Sequence, residues 1–166
     1  MRTKLKSGFT LVEIMIVVCI IGLLAVIAIP SFAKARRKSS VTRAANDLRV
    51  LDEAFKMYSL EMRSYPPDAN NQNGVLTGNM DEYVRDGIFE AEETPIGGRY
   101  RWINKDLGLF AYAYIISYTD CTYCGGPAND LDLLASLDEL IDDGDPTKGI
   151  LKVYVGVHYH YIVELK

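Results

Sequence analysis

The chain has 166 residues, 49% of them hydrophobic and 24% charged, with a formal net charge of −4, a length that allows one compact domain and an appendage. An acidic balance speaks against general nucleic-acid binding, which draws on phosphate neutralisation. Both histidines, His158 and His160, share one segment, and no nucleophile–His–acid set or glycine-rich phosphate loop is present, so no enzyme is expected.

The first eight residues carry Arg2, Lys4 and Lys6; without them the net charge falls by three, to −7. From Ile14 to Pro30 no residue is charged, and the apolar run extends with small breaks from Phe9 to Ala33. That suffices for a membrane-crossing helix, which needs ~20 residues. Lys34, Arg36, Arg37 and Lys38 follow it, so positive charge on both flanks leaves the orientation open. A secretory signal would be cut after its apolar core, where Ala33-Lys34-Ala35 is a poor site and the helical pattern continues. An ordinary anchor leaves Glu13 unexplained, because a carboxylate in such a run is costly unless neutralised or paired and is a functional candidate by default. Cleavage before the run, between Gly8 and Phe9, is the third reading.

Lys6-Ser7-Gly8-Phe9-Thr10-Leu11-Val12-Glu13-Ile14 resembles the prepilin signature, a basic leader ending in Gly and then Phe-Thr-Leu-x-Glu. Ile20-Ile21-Gly22-Leu23-Leu24-Ala25-Val26-Ile27-Ala28-Ile29-Pro30 is similar to the rest of the N-terminal segment of type IV pilins and type II secretion pseudopilins. The resemblance implies that a prepilin peptidase removes the leader Met1–Gly8. It further implies that Phe9 becomes an N-methylated terminus and that Glu13 pairs with the terminal amine of a neighbouring subunit as the filament assembles. Snorkelling of Glu13 to the interface is the plainer alternative. Gly22 and Pro30 interrupt the helical run; they are weak points where the helix can bend or loosen in a filament, or simply a tolerated kink.

Beyond Ala33 the pattern becomes one-sided. Val41, Ala44, Leu48, Leu51, Phe55, Tyr58 and Met62 recur at spacings of three and four, with Arg43, Asp47, Arg49, Asp52, Glu53 and Lys56 off the stripe. One helix is predicted from Phe9 to Met62, on the order of 80 Å long at ~1.5 Å per residue. Its second half is expected to cover a domain; a coiled coil through the same stripe is the alternative.

In the remaining half, Tyr65 to Gly78 reads as a loop and Asn79–Asp86 as a short helix with Met80, Tyr83 and Val84 on its apolar face. A turn at Thr94–Gly98 leads to a strand over Arg99–Ile103, and Phe110–Tyr118 is a second strand. Asp130 is a predicted N-cap for a helix over Leu131–Ile141, with Leu131, Leu134, Leu137 and Ile141 as its stripe. Ile150–Leu165 alternates as one amphipathic strand, with Gly156 as a bulge and both histidines on the solvent face. Thr94–Trp102 loosely resembles the Pro-Trp-Gly-x-Pro-Tyr stretch of major pseudopilins, with Ile96 in place of the Trp and Gly98-Arg99 in place of the second Pro.

Two constellations can hold metal. Asp142, Asp143 and Asp145 around Gly144 offer the oxygen ligands and glycine turn that suit Ca²⁺; a solvated helix end is the alternative. The resemblance adds that major pseudopilins bind calcium in a C-terminal loop. Cys121 and Cys124 with His158 and His160 make a zinc-type set, while a Cys121–Cys124 disulfide fits a domain outside the cytoplasm. Cys19, within the apolar run, reads as packing.

The expected fold class is α+β and pilin-like: a long N-terminal helix, transmembrane and then amphipathic, on a small antiparallel sheet of three or four strands. The expected segments are a leader at 1–8, a transmembrane or filament-core helix at 9–33, its amphipathic continuation at 34–63 and a periplasmic domain at 64–166. The resemblance implies a single-pass inner-membrane subunit of a homo- or hetero-oligomeric filament, with the prepilin peptidase and an inner-membrane assembly platform as partners and no nucleic acid. A type II secretion pseudopilin is the leading reading, because pilins often close a larger C-terminal disulfide loop than Cys-x-x-Cys allows. A type IV pilin for adhesion, motility or DNA uptake is the alternative, and a membrane-anchored metal-binding module is a third.

Overall fold

A computed structural model describes residues 9–68, 74–84, 87–90, 93–104, 111–118, 130–154 and 158–165. The chain divides into two units, Met1–Lys38 and Ser39–Lys166. Helix α1 spans Leu11–Met62, a 3₁₀ turn covers Met80–Glu82, and β1 (Arg99–Asn104), β2 (Ala111–Tyr118), α2 (Leu131–Ile141), β3 (Leu151–Tyr154) and β4 (His158–Leu165) follow.

Within the first unit the helix passes through Pro30 without a break. Proline has no N–H to offer the Val26 carbonyl one turn back; the Ser31 hydroxyl donates to the neighbouring Ile27 carbonyl at 3.2 Å. The sixteen large apolar side chains from Phe9 to Phe32 are all at least half exposed, from 50% at Val17 to 83% at Phe9.

The second unit is an antiparallel sheet in the order β1-β2-β4-β3, packed with the 39–62 part of α1. Val41, Ala44, Ala45, Leu48, Leu51, Ala54, Phe55 and Tyr58 are buried, so the expected stripe meets the sheet. Met62 does not join it and remains 49% exposed. The helix ends at that residue, and Arg63 turns into the left-handed region at φ 57, so the last turn has nothing left to cover. At the centre Phe55 stacks on Trp102 of β1, with centroids 3.9 Å apart and planes at 16°. The indole N–H of Trp102 donates to the Pro66 carbonyl, and the Asn104 amide does the same at 2.7 Å. Those bonds fasten the Tyr65–Asp68 segment to β1. The turn before β1 closes through Thr94, whose N–H reaches the Gly98 carbonyl and whose hydroxyl reaches the Gly97 carbonyl. The expected short helix near Asn79 is the 3₁₀ turn, with Met80 and Val84 buried.

The predicted single strand over Ile150–Leu165 is instead a hairpin. β3 runs antiparallel to β4, pairing Leu151 with Tyr161 and Tyr154 with His158. Gly156, the expected bulge, lies outside the described residues. β4 is consequently an inner strand, flanked by β2 and β3. Tyr159, Tyr161 and Val163 are buried as the alternation requires, but His160 and Ile162 on the opposite face are buried too. His160 is thus not on a solvent face, contrary to the expectation from alternation. This four-stranded sheet under a long helix is the pilin-like α+β architecture.

Candidate functional site

Two groups of residues carry chemistry, one in each unit. At the start of α1, Glu13 lies in the first turn and its Oε2 accepts from both the backbone N–H and the hydroxyl of Thr10, each at 2.8 Å. The Glu13 N–H donates back to the Thr10 hydroxyl at 3.3 Å. This reciprocal arrangement is a capping box, which satisfies amide donors that a helix start otherwise leaves open. Thr10 was not among the residues singled out in sequence, although Thr-x-x-Glu before an apolar run is its sequence mark. Phe9, next to this cap, is exposed. Gly8 lies outside the described residues. The site therefore presents one carboxylate, held by its own chain, at the tip of an uncovered apolar helix.

The second group surrounds the end of α2. Asp130 caps the helix start as expected, accepting from the Leu133 N–H at 3.0 Å. Leu134 and Leu137 are buried, while Leu131, one residue after the cap, is exposed. Asp138 sits on the same buried face as Leu134 and Leu137, at 0% exposure. Ligand oxygens of Asp138, Asp142 and Asp143 lie within 4.8 Å of one another. Burial, and then the charges of Asp142 and Asp143, push the Asp138 carboxyl up to about 6.

The grouping differs from the expected Asp142, Asp143 and Asp145: Asp138 takes the place of Asp145. The Asp145 carboxylate is turned to its own loop, where it accepts from the Thr147 N–H and hydroxyl and pairs with Lys148 at 2.6 Å. The Lys148 bond, and then those from Thr147, bring it down to about 2. Asp142 Oδ2 accepts the Ile150 N–H at 2.6 Å. Gly149 makes room for that bond: with φ at +72°, a Cβ there would fall 1.7 Å from Asp142 Oδ2. Arg49 of α1 donates to the Leu140 carbonyl near the end of α2. An all-oxygen, all-carboxylate set with a buried member fits a hard cation. Sequence reasoning missed Asp138 because its neighbours define an apolar stripe; a carboxylate at that position of the stripe was the available signal.

Cys121 and Cys124 lie outside the described residues, which leaves the disulfide and the zinc-type set without a geometric description. Cys19 is exposed on the first unit's helix.

Comparison with known proteins bears on the N-terminal group. Residues 3–29 match the family model described as the prokaryotic N-terminal methylation motif. The chain is 30% identical over 110 residues to the type II secretion system core protein G of Klebsiella michiganensis, covering 63% of this chain and 78% of that protein. The protein of the same name from Pseudomonas aeruginosa is 31% identical over 109 residues, 62% of this chain and 77% of its own length. The type IV major pilin protein PilA of Myxococcus xanthus is 48% identical over 65 residues, 39% of this chain and 30% of that protein. No solved structure matches the chain. The pilin likeness is thus confined to a short stretch, whereas the core protein G likeness continues well past the apolar segment, and on that extent the chain belongs to the type II secretion system core protein G family.

Proposed function

We propose that this chain is a structural subunit of a pilus-type filament, a pseudopilin of a type II secretion system, and not an enzyme. The observation that carries the reading is the pairing of Gly8-Phe9-Thr10-Leu11-Val12-Glu13 with an apolar helix uncovered on every side. Such a helix finds its low-polarity surroundings in lipid or among copies of itself, because an apolar stretch of this size is not left in water. By length and composition, α1 holds the one candidate membrane span among the described residues. The subunit waits in the inner membrane by this segment, with residues 39–166 outside the cytoplasm.

A prepilin peptidase cuts between Gly8 and Phe9, and the new ammonium at Phe9 is methylated. Glu13 then exchanges its hold on Thr10 for the terminal amine of a neighbouring subunit. That pairing offsets two desolvation costs at once, and the apolar helices pack as subunits leave the bilayer. Membership of the core protein G family supports the secretion version over adhesion, motility or DNA uptake.

Co-expression with a cognate prepilin peptidase, followed by N-terminal peptide mass spectrometry, tests the reading. A chain beginning at methylated Phe9 is the expected product. An intact Met1, or a start near Ala33–Ala35, overturns it. Glu13→Gln is expected to be cleaved normally and to form no filaments when the secretion machinery is present.

A further inference from the structure

We infer that Lys34, Arg36, Arg37 and Lys38 form a collar that binds the headgroups of anionic phospholipids, at the end of the span from which residues 39–166 continue. The inference rests on the membrane-anchored reading above and adds what the segment just past the span recognises. All four residues are helical and exposed. No acidic residue lies between Ile14 and Asn46, so the helix offers none of them a carboxylate one turn away. Farther along the same helix Lys56 has Asp52 at 2.7 Å, one turn back, the usual way a helix matches a surface lysine.

Their place along the helix sets the level at which they act. The apolar run from Phe9 to Ala33 is about 37 Å long at ~1.5 Å per residue, against a hydrocarbon core of ~30 Å. The next residue is Lys34, so the collar falls in the headgroup layer. Its distribution round the helix selects lipid over protein. At ~100° per residue, Arg36, Arg37 and Lys38 point roughly 200°, 300° and 40° away from Lys34. A folded partner reads one face of a helix, as the sheet does with the stripe from Val41 to Tyr58. Charges turned to several sides suit a medium that surrounds the helix, and headgroups do.

The charge of the rest of the chain points the same way. Residues 39–166 hold 11 basic and 21 acidic side chains, a net −10, and so repel an anionic surface. Attraction to such a surface therefore has to come from the collar. Basic residues beside a span are ordinarily kept on the cytoplasmic side. With residues 39–166 outside the cytoplasm the collar lies on the other side, and loss of Met1–Gly8 removes Arg2, Lys4 and Lys6 from the opposite flank. Four cations carried against that bias find their counter-charge in lipid phosphates.

The test uses the full-length chain with Arg2→Gln, Lys4→Gln and Lys6→Gln, so that the leader adds no attraction. It is released for native mass spectrometry from micelles doped with equal amounts of phosphatidylglycerol and zwitterionic phosphatidylethanolamine. Bound phosphatidylglycerol should be in excess, by about fivefold for each basic residue of the collar, and the excess should shrink as salt rises. Arg36→Gln with Arg37→Gln should lower it roughly 25-fold on the same basis, with tryptophan emission unchanged. Arg36→Lys with Arg37→Lys should keep it. Equal binding of the two lipids, or an excess that survives the glutamine pair, overturns the inference. Displacement of the lipid by inorganic phosphate overturns it too, as does loss of chain dimers in place of lipid in the glutamine pair, which would make a second copy the partner. No readout here involves cleavage or fibres, so a failure leaves the filament reading standing, and an uncut Met1 in the cleavage test does not touch the collar.

Discussion

One helix serves two units, and they use it in opposite ways. In Met1–Lys38 the helix is apolar around its whole circumference and none of the described residues covers it. In Ser39–Lys166 it is apolar on one stripe, and that stripe is the floor of a closed core with Tyr100, Trp102, Tyr159 and Tyr161. The second unit finds its apolar partner within its own sequence, so its stability is a property of one molecule. For the first unit the partner must come from elsewhere, from lipid or from other copies, so its free energy is settled only on insertion or assembly.

The sharpest way to break this contrast is to remove the central side chain of the closed unit. Trp102→Ala deletes the ring that stacks on Phe55 and holds the Pro66 carbonyl. It should cost roughly 3–5 kcal/mol, read as a lower urea midpoint for the sheet. Phe32→Ala, an equally drastic truncation on the uncovered helix, should leave that midpoint unchanged. If both variants shift it alike, the two units are not energetically separate.

The contrast was largely legible in residue order, because an all-apolar run and a one-sided stripe differ in period and need no tertiary information. The same holds for α2, where Asp130 as cap and the spacing of Leu134 and Leu137 marked the helix. What was not legible depended on where elements end and on what packs against them. His160 looks solvent-facing by alternation and is buried because β4 lies between two strands. Met62 fits the stripe by spacing and is exposed because the helix stops there. Asp138, in the last turns of α2, is joined by Asp142 and Asp143 because the chain turns back after Ile141, whereas reading along the chain pointed to the tighter run that includes Asp145.

A smaller effect is expected at the cap of the open unit. Thr10→Ala removes both bonds to Glu13 Oε2 and the return bond from the Glu13 N–H. Loss of such a cap costs roughly 0.5–2 kcal/mol, confined to the first turn. Amide exchange in micelles should quicken at Val12–Ile14 while the melting of the sheet stays put.

The tyrosine response to high pH belongs to the closed unit alone, since residues 1–38 contain no tyrosine. The Tyr83 hydroxyl donates to Glu61 at 2.6 Å, and this bond first, then burial, pushes its phenol up to about 12. Burial, and then the charge of Asp52, does the same to Tyr161, also to about 12. Between the ordinary value of 10 and about 12 the folded chain keeps protons that the unfolded chain has released. The stability these tyrosines provide is therefore complete below pH 10 and declines as pH rises through 12. Phenolate absorbance should show at least three late-titrating tyrosines, Tyr83, Tyr161 and the buried Tyr100, and Glu61→Gln should bring Tyr83 back toward 10.

The smallest change is expected at the Lys56–Asp52 pair, 2.7 Å apart on the helix surface. Lys56→Ala should move the urea midpoint by an amount equivalent to only about 0.3–0.5 kcal/mol. A larger loss would mean that the outer face of the helix contributes more to the closed unit than its packing implies.

The stack of Phe55 on Trp102 has an optical consequence. The chain contains a single tryptophan, and it is buried where the helix meets the sheet, with its indole N–H engaged by a carbonyl. The first unit has neither tryptophan nor tyrosine. Fluorescence excited at wavelengths beyond tyrosine absorption therefore reports one place only, and it does so without background from the apolar segment. The same emission band can be followed in micelle, bilayer or fibre, so any change in it registers a disturbance of the domain and not of the surroundings the N-terminal helix happens to occupy.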